Sequence, residues 1–240
     1  MSARLESIVF DAVDLRRQAE FWGAGLEASL LRDGSGEDFL RLEVGEDQHL
    51  TIYFEQVDHH QPLPHRLHLD LAGGPRQQAV VERFLRLGAR HLDIGQRDVP
   101  WVVLADPERN AFCVMEDRPE YVDTGPIAAL PIDAQDPDAT AQFWVAASDW
   151  VDATGTRVSD QGHRILRHWS TRGPLLEFCP VDTPKVQKNP IHLDLRAEGD
   201  YDAELARLLS LGARRLEHSW GELPWTVLLD PAGNEFCLLR

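Results

Sequence analysis

A chain of 240 residues, 43% apolar and 27% charged, has the makeup of a soluble globular protein of one or two domains, each long enough to bury its own core. Its 24 basic residues stand against 40 acidic ones, a net charge of −16; a field of that sign repels phosphate backbones and anionic lipid, so neither nucleic acid nor a membrane surface is expected as a partner. Cys113, Cys179 and Cys237 make no disulfide framework, the N-terminal stretch carries no apolar signal and no segment approaches a membrane-spanning length, so a reducing cytoplasmic location is expected.

Residues 5–13 alternate enough for a short strand with Ile8 and Phe10 on one face. Asp14 stands at an N-cap position before a helical repeat of Leu15, Ala19 and Trp22, which Gly23 and Gly25 are expected to end. Strand-like runs follow at 27–32, 38–44 and 49–57, with the turn DGSGED between the first two. After a polar connector, Asp58–Pro64, the same order recurs. Residues 66–72 form a strand with Leu67, Leu69 and Leu71 on one face and His68 and Asp70 on the other. A helix over 75–88 carries Val80, Val81, Phe84 and Leu87 as its apolar stripe and stops at Gly88. Strands at 90–95 and 100–105, a tight turn at Asp106–Asn110 and a last strand at 111–116 complete the unit.

The rest of the chain is a second copy of this unit. At an offset of 124 residues RLHLDLAG falls on PIHLDLRA, Leu87-Gly88-Ala89-Arg90 on Leu211-Gly212-Ala213-Arg214, Pro100-Trp101 on Pro224-Trp225 and DPERNAFC on DPAGNEFC. Upstream, at an offset of 122, Asp11, Asp14 and Phe21-Trp22 fall on Asp133, Asp136 and Phe143-Trp144. One unit of about 120 residues has been duplicated. The expected domains are 1–118 and 126–240, joined by a linker at 119–125, with a pseudo-twofold relation between them. Each half is a pair of βαβββ modules, an α+β architecture of four small curved sheets with helices on their convex faces. Two modules side by side make an open, incomplete barrel with a cleft. Two pairings are open: modules 1 with 2 and 3 with 4, or 1 with 4 and 2 with 3. The second would bring Glu177 to His68 and Cys113, and set His192 and Cys237 opposite Ser7 and Tyr53.

The helix ending in Phe-Trp, the strand HLDL, the helix stop LGA and the turn DPxxNxFC, each present twice, resemble the vicinal-oxygen-chelate superfamily, and within it the glyoxalase-like and bleomycin-resistance-type domains in tandem form. The resemblance covers essentially the whole chain. It implies two open curved-sheet barrels and does not fix a reaction, because the superfamily includes glyoxalases, isomerases, ring-cleaving dioxygenases, thiol transferases and antibiotic-sequestering proteins. It also implies one divalent metal per cleft in the catalytic members, held from the first and last strands of the paired modules. Here those positions carry Ser7 and Ala129, His68 and His192, Cys113 and Cys237, and Tyr53 and Glu177. One histidine per cleft without further conventional ligands argues against a tightly bound metal, and no other cofactor is expected.

Among the candidates, His68 and His192 suit a general acid/base or a ligand, against the alternative of a polar cleft residue hydrogen-bonded to Asp70 or Asp194. Cys113 and Cys237 are expected to be small apolar fillers, since no neighbouring cation lowers their pKa. Trp101 and Trp225 either wall the cleft or pack in the core. His59, His60 and His65 have Thr183, Pro184 and Asn189 as counterparts, which places them on a solvated connector outside the shared design. The ligand-contacting set is therefore Tyr53, Asp70, Trp101, Cys113, Glu177, Asp194, Trp225 and Cys237, around His68 and His192. The expected function is binding of a small organic molecule in a metal-free cleft by a monomer or homodimer. The alternatives are a metal-dependent lyase, isomerase or dioxygenase, and a metal-independent enzyme that uses a cleft histidine.

Overall fold

A computed structural model describes residues 3–34, 36–45, 48–154, 162–218 and 220–240. Ser35 of the DGSGED turn and the first two residues of the chain lie outside this set. Module 1 comprises β1 (Arg4–Ala12), α1 (Leu15–Leu26), β2 (Ser29–Arg32), β3 (Asp38–Gly45) and β4 (Gln48–Gln56). Module 2 comprises β5 (Leu69–Ala72), α2 (Gln77–Leu87), β6 (Arg90–His91), β7 (Val102–Ala105) and β8 (Ala111–Met115). Module 3 repeats the first as β9 (Ile127–Ala134), α3 (Pro137–Ala147), β10 (Trp150–Asp152), β11 (Arg164–His168) and β12 (Leu175–Pro180). Module 4 repeats the second as β13 (Ile191–Arg196), α4 (Tyr201–Ser210), β14 (Arg214–Arg215), β15 (Thr226–Leu229) and β16 (Glu235–Leu239).

Among the described residues the strands form two eight-stranded mixed sheets, ordered β14-β15-β16-β13-β1-β4-β3-β2 and β10-β11-β12-β9-β5-β8-β7-β6. We call them the 1/4 sheet and the 2/3 sheet, because the modules pair across the halves. At each centre two first strands run antiparallel, β1 against β13 and β5 against β9, with a parallel last strand outside each. Over the described residues neither sheet closes. Strand positions on the helix side, such as Ile8, Phe10, Leu69 and Leu71, are at most 1% exposed, and we call the opposite side of each sheet its cleft face.

Several elements follow directly from local chemistry. The Asp14 carboxylate accepts the Arg17 amide at 3.0 Å, and Asp136 does the same for Ala139 at 2.9 Å, each satisfying an orphan N–H at a helix start. Gly88 stops α2 at φ 110°, a left-handed position that glycine adopts without penalty. Asp106 takes the Glu108 and Asn110 amides at 2.8 Å, closing the DPxxN turn, and also accepts Gln18 Nε2 and Trp22 Nε1 from α1. Trp144 and Asp230 repeat that tie at 3.2 Å in the second half. The turn motif thus fastens the 2/3 sheet to the helix of module 1, and the 1/4 sheet to that of module 3.

Four expectations need correction. The α1 helix does not end at Gly23 and Gly25 but runs through both to Leu26, with Glu27 as its left-handed cap at φ 56°. The reason lies in tertiary packing: a Cβ on Gly25 would stand 2.2 Å from the Phe84 ring, so the glycine lets α2 approach α1. The strand at 66–72 pairs continuously only over Leu69–Ala72, with Leu67 making a single bridge to Ile132. Of 90–95 only Arg90 and His91 pair, because Asp93 and Gln96 side chains take the Gly95 and Ile94 amides into a turn. The helix at 75–88 is a short 3₁₀ turn followed by α2 from Gln77.

One core runs through all four modules, joining Phe10, Trp22, Phe84 and Phe112 to Phe143, Trp144, Phe178 and Phe236. Trp22 and Phe112 stack edge to face with centroids 5.0 Å apart, as Trp144 and Phe236 do more obliquely at 5.3 Å. Each such ring contributes roughly 1.5–3 kcal/mol by burial, and contacts of this geometry add about 0.5–1.5.

Candidate functional site

The pairing of modules decides which residues meet. In the 2/3 sheet Asp70 on β5 lies between Cys113 on β8 and Ala129 on β9. One rung away, the His68 amide donates to the Pro131 carbonyl at 3.3 Å, and Pro131 is the register partner of Glu177 on β12. His68 and Glu177 therefore flank Pro131 on the cleft face. In the 1/4 sheet Asp194 lies between Cys237 and Ser7, and Val9 stands between His192 and Tyr53. Period-two alternation produces both arrangements: the leucines of HLDL go to the helices and the His and Asp turn to the cleft.

Each cleft contains a His–Asp–Cys cluster. The ligand-type atoms of His68, Asp70 and Cys113 lie within 4.8 Å of one another, and so do those of His192, Asp194 and Cys237. His68 Nε2 is 3.3 Å from Asp70 Oδ1, and His192 Nε2 is 3.5 Å from Asp194 Oδ1. Ser7 Oγ donates to Asp194 Oδ2 at 3.0 Å. Burial opposes a charge on His68, but contact with Asp70 and the charges of Asp70, Asp133 and Glu177 outweigh it and raise the imidazole's pKa. Burial and the adjacent aspartate push both thiols, Cys113 and Cys237, far up, so they are protonated cleft-floor groups rather than nucleophiles.

The two clefts differ in what surrounds these clusters. Glu177 is largely buried, and burial together with the charge of Asp70 moves its carboxyl from 4.5 up to about 7, against the lowering effect of Arg118. Tyr121 donates its hydroxyl to Glu177 Oε1 at 3.4 Å and receives Arg118 Nη1 at 3.2 Å. The Arg118 guanidinium sits 5.4 Å from the Trp101 ring and 5.5 Å from the Tyr121 ring. Trp101 and Tyr121 close an apolar cluster with Val103, Cys113, Met115 and Leu92 on the cleft side. Trp101 is thus a cleft wall. In the 1/4 cleft the position of Glu177 is held by Tyr53, whose ring lies against Phe39 at 5.3 Å and whose hydroxyl pKa is raised by burial. Trp225 is half-buried at the edge of β15.

Tyr121 and Arg118 are the site residues that the sequence reading passed over, because they belong to the linker and its approach, which have no period and no counterpart in the repeat. Arg167 on β11 holds this segment down by donating to the carbonyls of Glu120, at 3.2 Å, and Val122. The only local signal is an aromatic residue in an otherwise polar connector. Two histidines of the connector are held by other groups: His60 Nδ1 is 3.3 Å from Glu108, and His65, half-buried near His68, bonds the Gln61 carbonyl through Nε2 at 3.2 Å.

A family model described as a glyoxalase-like domain matches the chain twice, over residues 7–115 and 129–239. The chain belongs to this family. It carries the domain in tandem, consistent with a two-domain protein of the vicinal-oxygen-chelate superfamily. Its structure resembles glyoxalase I from Zea mays at 16% identity and a TM-score of 0.65, covering 100% of this chain and 92% of that one. It also resembles a putative dioxygenase from Bacillus subtilis subsp. subtilis str. 168 at 12% identity and a TM-score of 0.65, over 99% and 84% of the two chains. At these identities the likeness is one of fold. No curated protein sequence matches the chain significantly. No helix among the described residues is long and apolar enough to cross a membrane.

The family resemblance implies a divalent metal, and the residues can be tested against it. The four first- and last-strand positions hold His68, Cys113, Ala129 and Glu177 in one cleft, and His192, Cys237, Ser7 and Tyr53 in the other. As sets of four they do not fit, since alanine and serine leave gaps. One rung along the same strands, however, each cleft supplies an aspartate, so the structure brings together one nitrogen, one oxygen and one sulfur donor. The sequence places these aspartates beside the histidines and in the ligand-contacting set, but not among the metal-ligand positions.

Proposed function

We propose that the chain binds a small organic molecule in the cleft of the 2/3 sheet and that Glu177 exchanges a proton with it. The observation that carries this reading is the convergence of Glu177, Tyr121, Arg118 and Trp101 on one open sheet face, across Pro131 from His68. A carboxyl at about 7 is half protonated at neutral pH, which suits it to donate to or accept from a carbonyl or hydroxyl oxygen. The Trp101 face and the Tyr121 ring offer a planar apolar wall, and a few convergent polar groups set orientation, the usual composition of a small-molecule site. The 1/4 cleft, with Tyr53 in place of the carboxyl, lacks the proton-exchanging group. A metal-dependent reaction is the second reading, favoured by the His–Asp–Cys cluster beside Glu177.

Titration with a panel of small oxygenated compounds, followed by tryptophan fluorescence, tests the first reading. A true ligand is expected to change the signal in the parent protein and not in Trp101→Phe. Its affinity should fall at least tenfold in Glu177→Gln, and its variation with pH around 7 should be smaller there than in the parent, where Glu177 and His68 both titrate. Binding that is indifferent to both substitutions would refute the assignment of this cleft.

A further inference from the structure

We propose that a groove at the outer end of the 1/4 sheet is a second ligand site, which takes a planar ring bearing an anionic oxygen group, a carboxylate or a phosphate. The groove lies between the β12–β13 connection, the β14–β15 connection and the DPAGN turn. Its volume is about 650 Å³, and its lining includes Lys185, Val186, Lys188, Arg214, His218 and Trp220. His192, Asp194, Cys237 and Tyr53 are not part of that lining, so the groove is separate from the cluster of the 1/4 cleft. The inference does not rest on the reading of the 2/3 cleft.

The first ground is charge. Both lysines of the chain are here, and with Arg214 they set three cations against two carboxylates, Glu217 and Glu235, in a chain of net charge −16. Lys185 Nζ holds Glu235, and Lys188 Nζ holds both Asp11 oxygens at 2.6 and 2.7 Å, so two buried carboxylates that would repel an anion are already neutralised. Lys185 keeps donor protons beyond the one it gives Glu235. Among the described residues Arg214 makes no ion pair, and its guanidinium lies over the DPAGN turn, where a Cβ on Gly233 would stand 4.0 Å from Nη2. A guanidinium in that state suits a bidentate carboxylate or phosphate.

The second ground is apolar surface left in water. Val186 is 86% exposed and Trp220 52%. The His218 ring stacks on Trp220 with centroids 4.8 Å apart and planes at 14°, which holds the indole flat from one side. Its exposed part is a platform on which a planar ring can stack.

The third ground is the repeat. At the offset of 124 residues Lys185, Lys188, His218, Trp220 and Glu235 fall on Gln61, Pro64, Ile94, Gln96 and Ala111, while Arg214 falls on Arg90. These differences come from three separate stretches of chain, and the fold gathers them in one groove.

Calorimetric titration of the full-length chain with naphthoate, naphthyl phosphate, naphthylmethanol and inorganic phosphate tests the proposal. One equivalent of at least one naphthyl anion should bind, at least tenfold more tightly than the alcohol or inorganic phosphate, and the tighter anion identifies the group. Arg214→Gln and Trp220→Ala should each weaken this binding at least tenfold, with thermal melts confirming that these exposed positions leave folding intact. The lysines stay unaltered, because removing either would strand a buried carboxylate. Trp101→Phe and Glu177→Gln in the 2/3 cleft should leave the affinity unchanged, as should Trp169→Ala, which removes an exposed tryptophan outside the groove. Binding of neither anion overturns the proposal, as does an alcohol that binds equally well or binding that survives both groove substitutions. Binding lost in Trp101→Phe or Glu177→Gln also overturns it, and would put the ligand in the 2/3 cleft instead.

Discussion

Replacing Glu177 by glutamine should stabilise the protein at alkaline pH and not at acid pH. In the unfolded chain this carboxyl titrates near 4.5, and in the folded cleft at about 7, chiefly because it is buried and because Asp70 repels its charge. The folded state therefore holds the proton more tightly than the unfolded one. Stability from the protonated Glu177 is complete below pH 4.5 and is lost progressively as pH rises through 7. A change from 4.5 to about 7 corresponds to about 3 kcal/mol by the end of that window. Glutamine keeps the shape and an acceptor for the Tyr121 hydroxyl but carries no charge, so it escapes the loss. For a chain of 240 residues, about 3 kcal/mol is a rise in melting temperature of roughly 6 °C or more at pH 8, shrinking to nothing near pH 4.5. Paired thermal melts of parent and variant from pH 4.5 to 8.5 read this directly. A gap that does not grow with pH, or a variant less stable than the parent at pH 8, would refute the argument that a buried, repelled carboxylate sits in this cleft. A gain in stability with a loss of ligand affinity is the expected signature of a group kept for function.

Other consequences follow from packing. Leu69→Ala should cost about 2–5 kcal/mol in urea denaturation, because Leu69 is fully buried, whereas His68→Ala on the opposite face should cost less, about 1–3 kcal/mol, from the contact it removes at the buried Asp70; the reverse order would mean that the cleft and core faces are exchanged. Gly25→Ala should lower stability by about 1–3 kcal/mol, read from the denaturant midpoint, since the new Cβ meets the Phe84 ring. Trp22→Phe removes a donor to the buried Asp106 and should cost about 1–3 kcal/mol in the same assay, with Trp144→Phe comparable through Asp230.

Much of this architecture is legible in the sequence because it rests on local period and on repetition. The alternation in HLDL places His68 and Asp70 on one face and their leucines on the other, and the 124-residue offset marks the same in His192 and Asp194. What is hidden depends on distance along the chain. Two glycines in α1 read locally as a helix end, yet Gly25 makes room for Phe84 of a helix that arrives some sixty residues later, and Gly23 stands against Leu40. Tyr121 reads as linker, yet it lies against Glu177, 56 residues on. Which modules pair is likewise not written in any strand's own pattern, because both pairings bury the same faces.

The exchanged pairing also gives the two kinds of module different work. Each cleft takes its His–Asp–Cys cluster from an even module, β5 and β8 in one sheet and β13 and β16 in the other, and these clusters are alike. Each takes its opposing wall from an odd module, and these walls differ: Ala129 and Glu177 in one, Ser7 and Tyr53 in the other. The linker adds to this difference, because the chain from β8 to β9 must pass the 2/3 sheet, where Arg167 pins it and Tyr121 reaches Glu177. A duplication whose halves paired only with themselves would have coupled each cluster to its own wall. Under the proposed function, pairing across the halves would instead let the shared chemistry of the even modules stay fixed while the odd modules and the linker set what each cleft admits. Selectivity should therefore respond to changes on β4, β12 and the linker far more than to changes around β5 and β13.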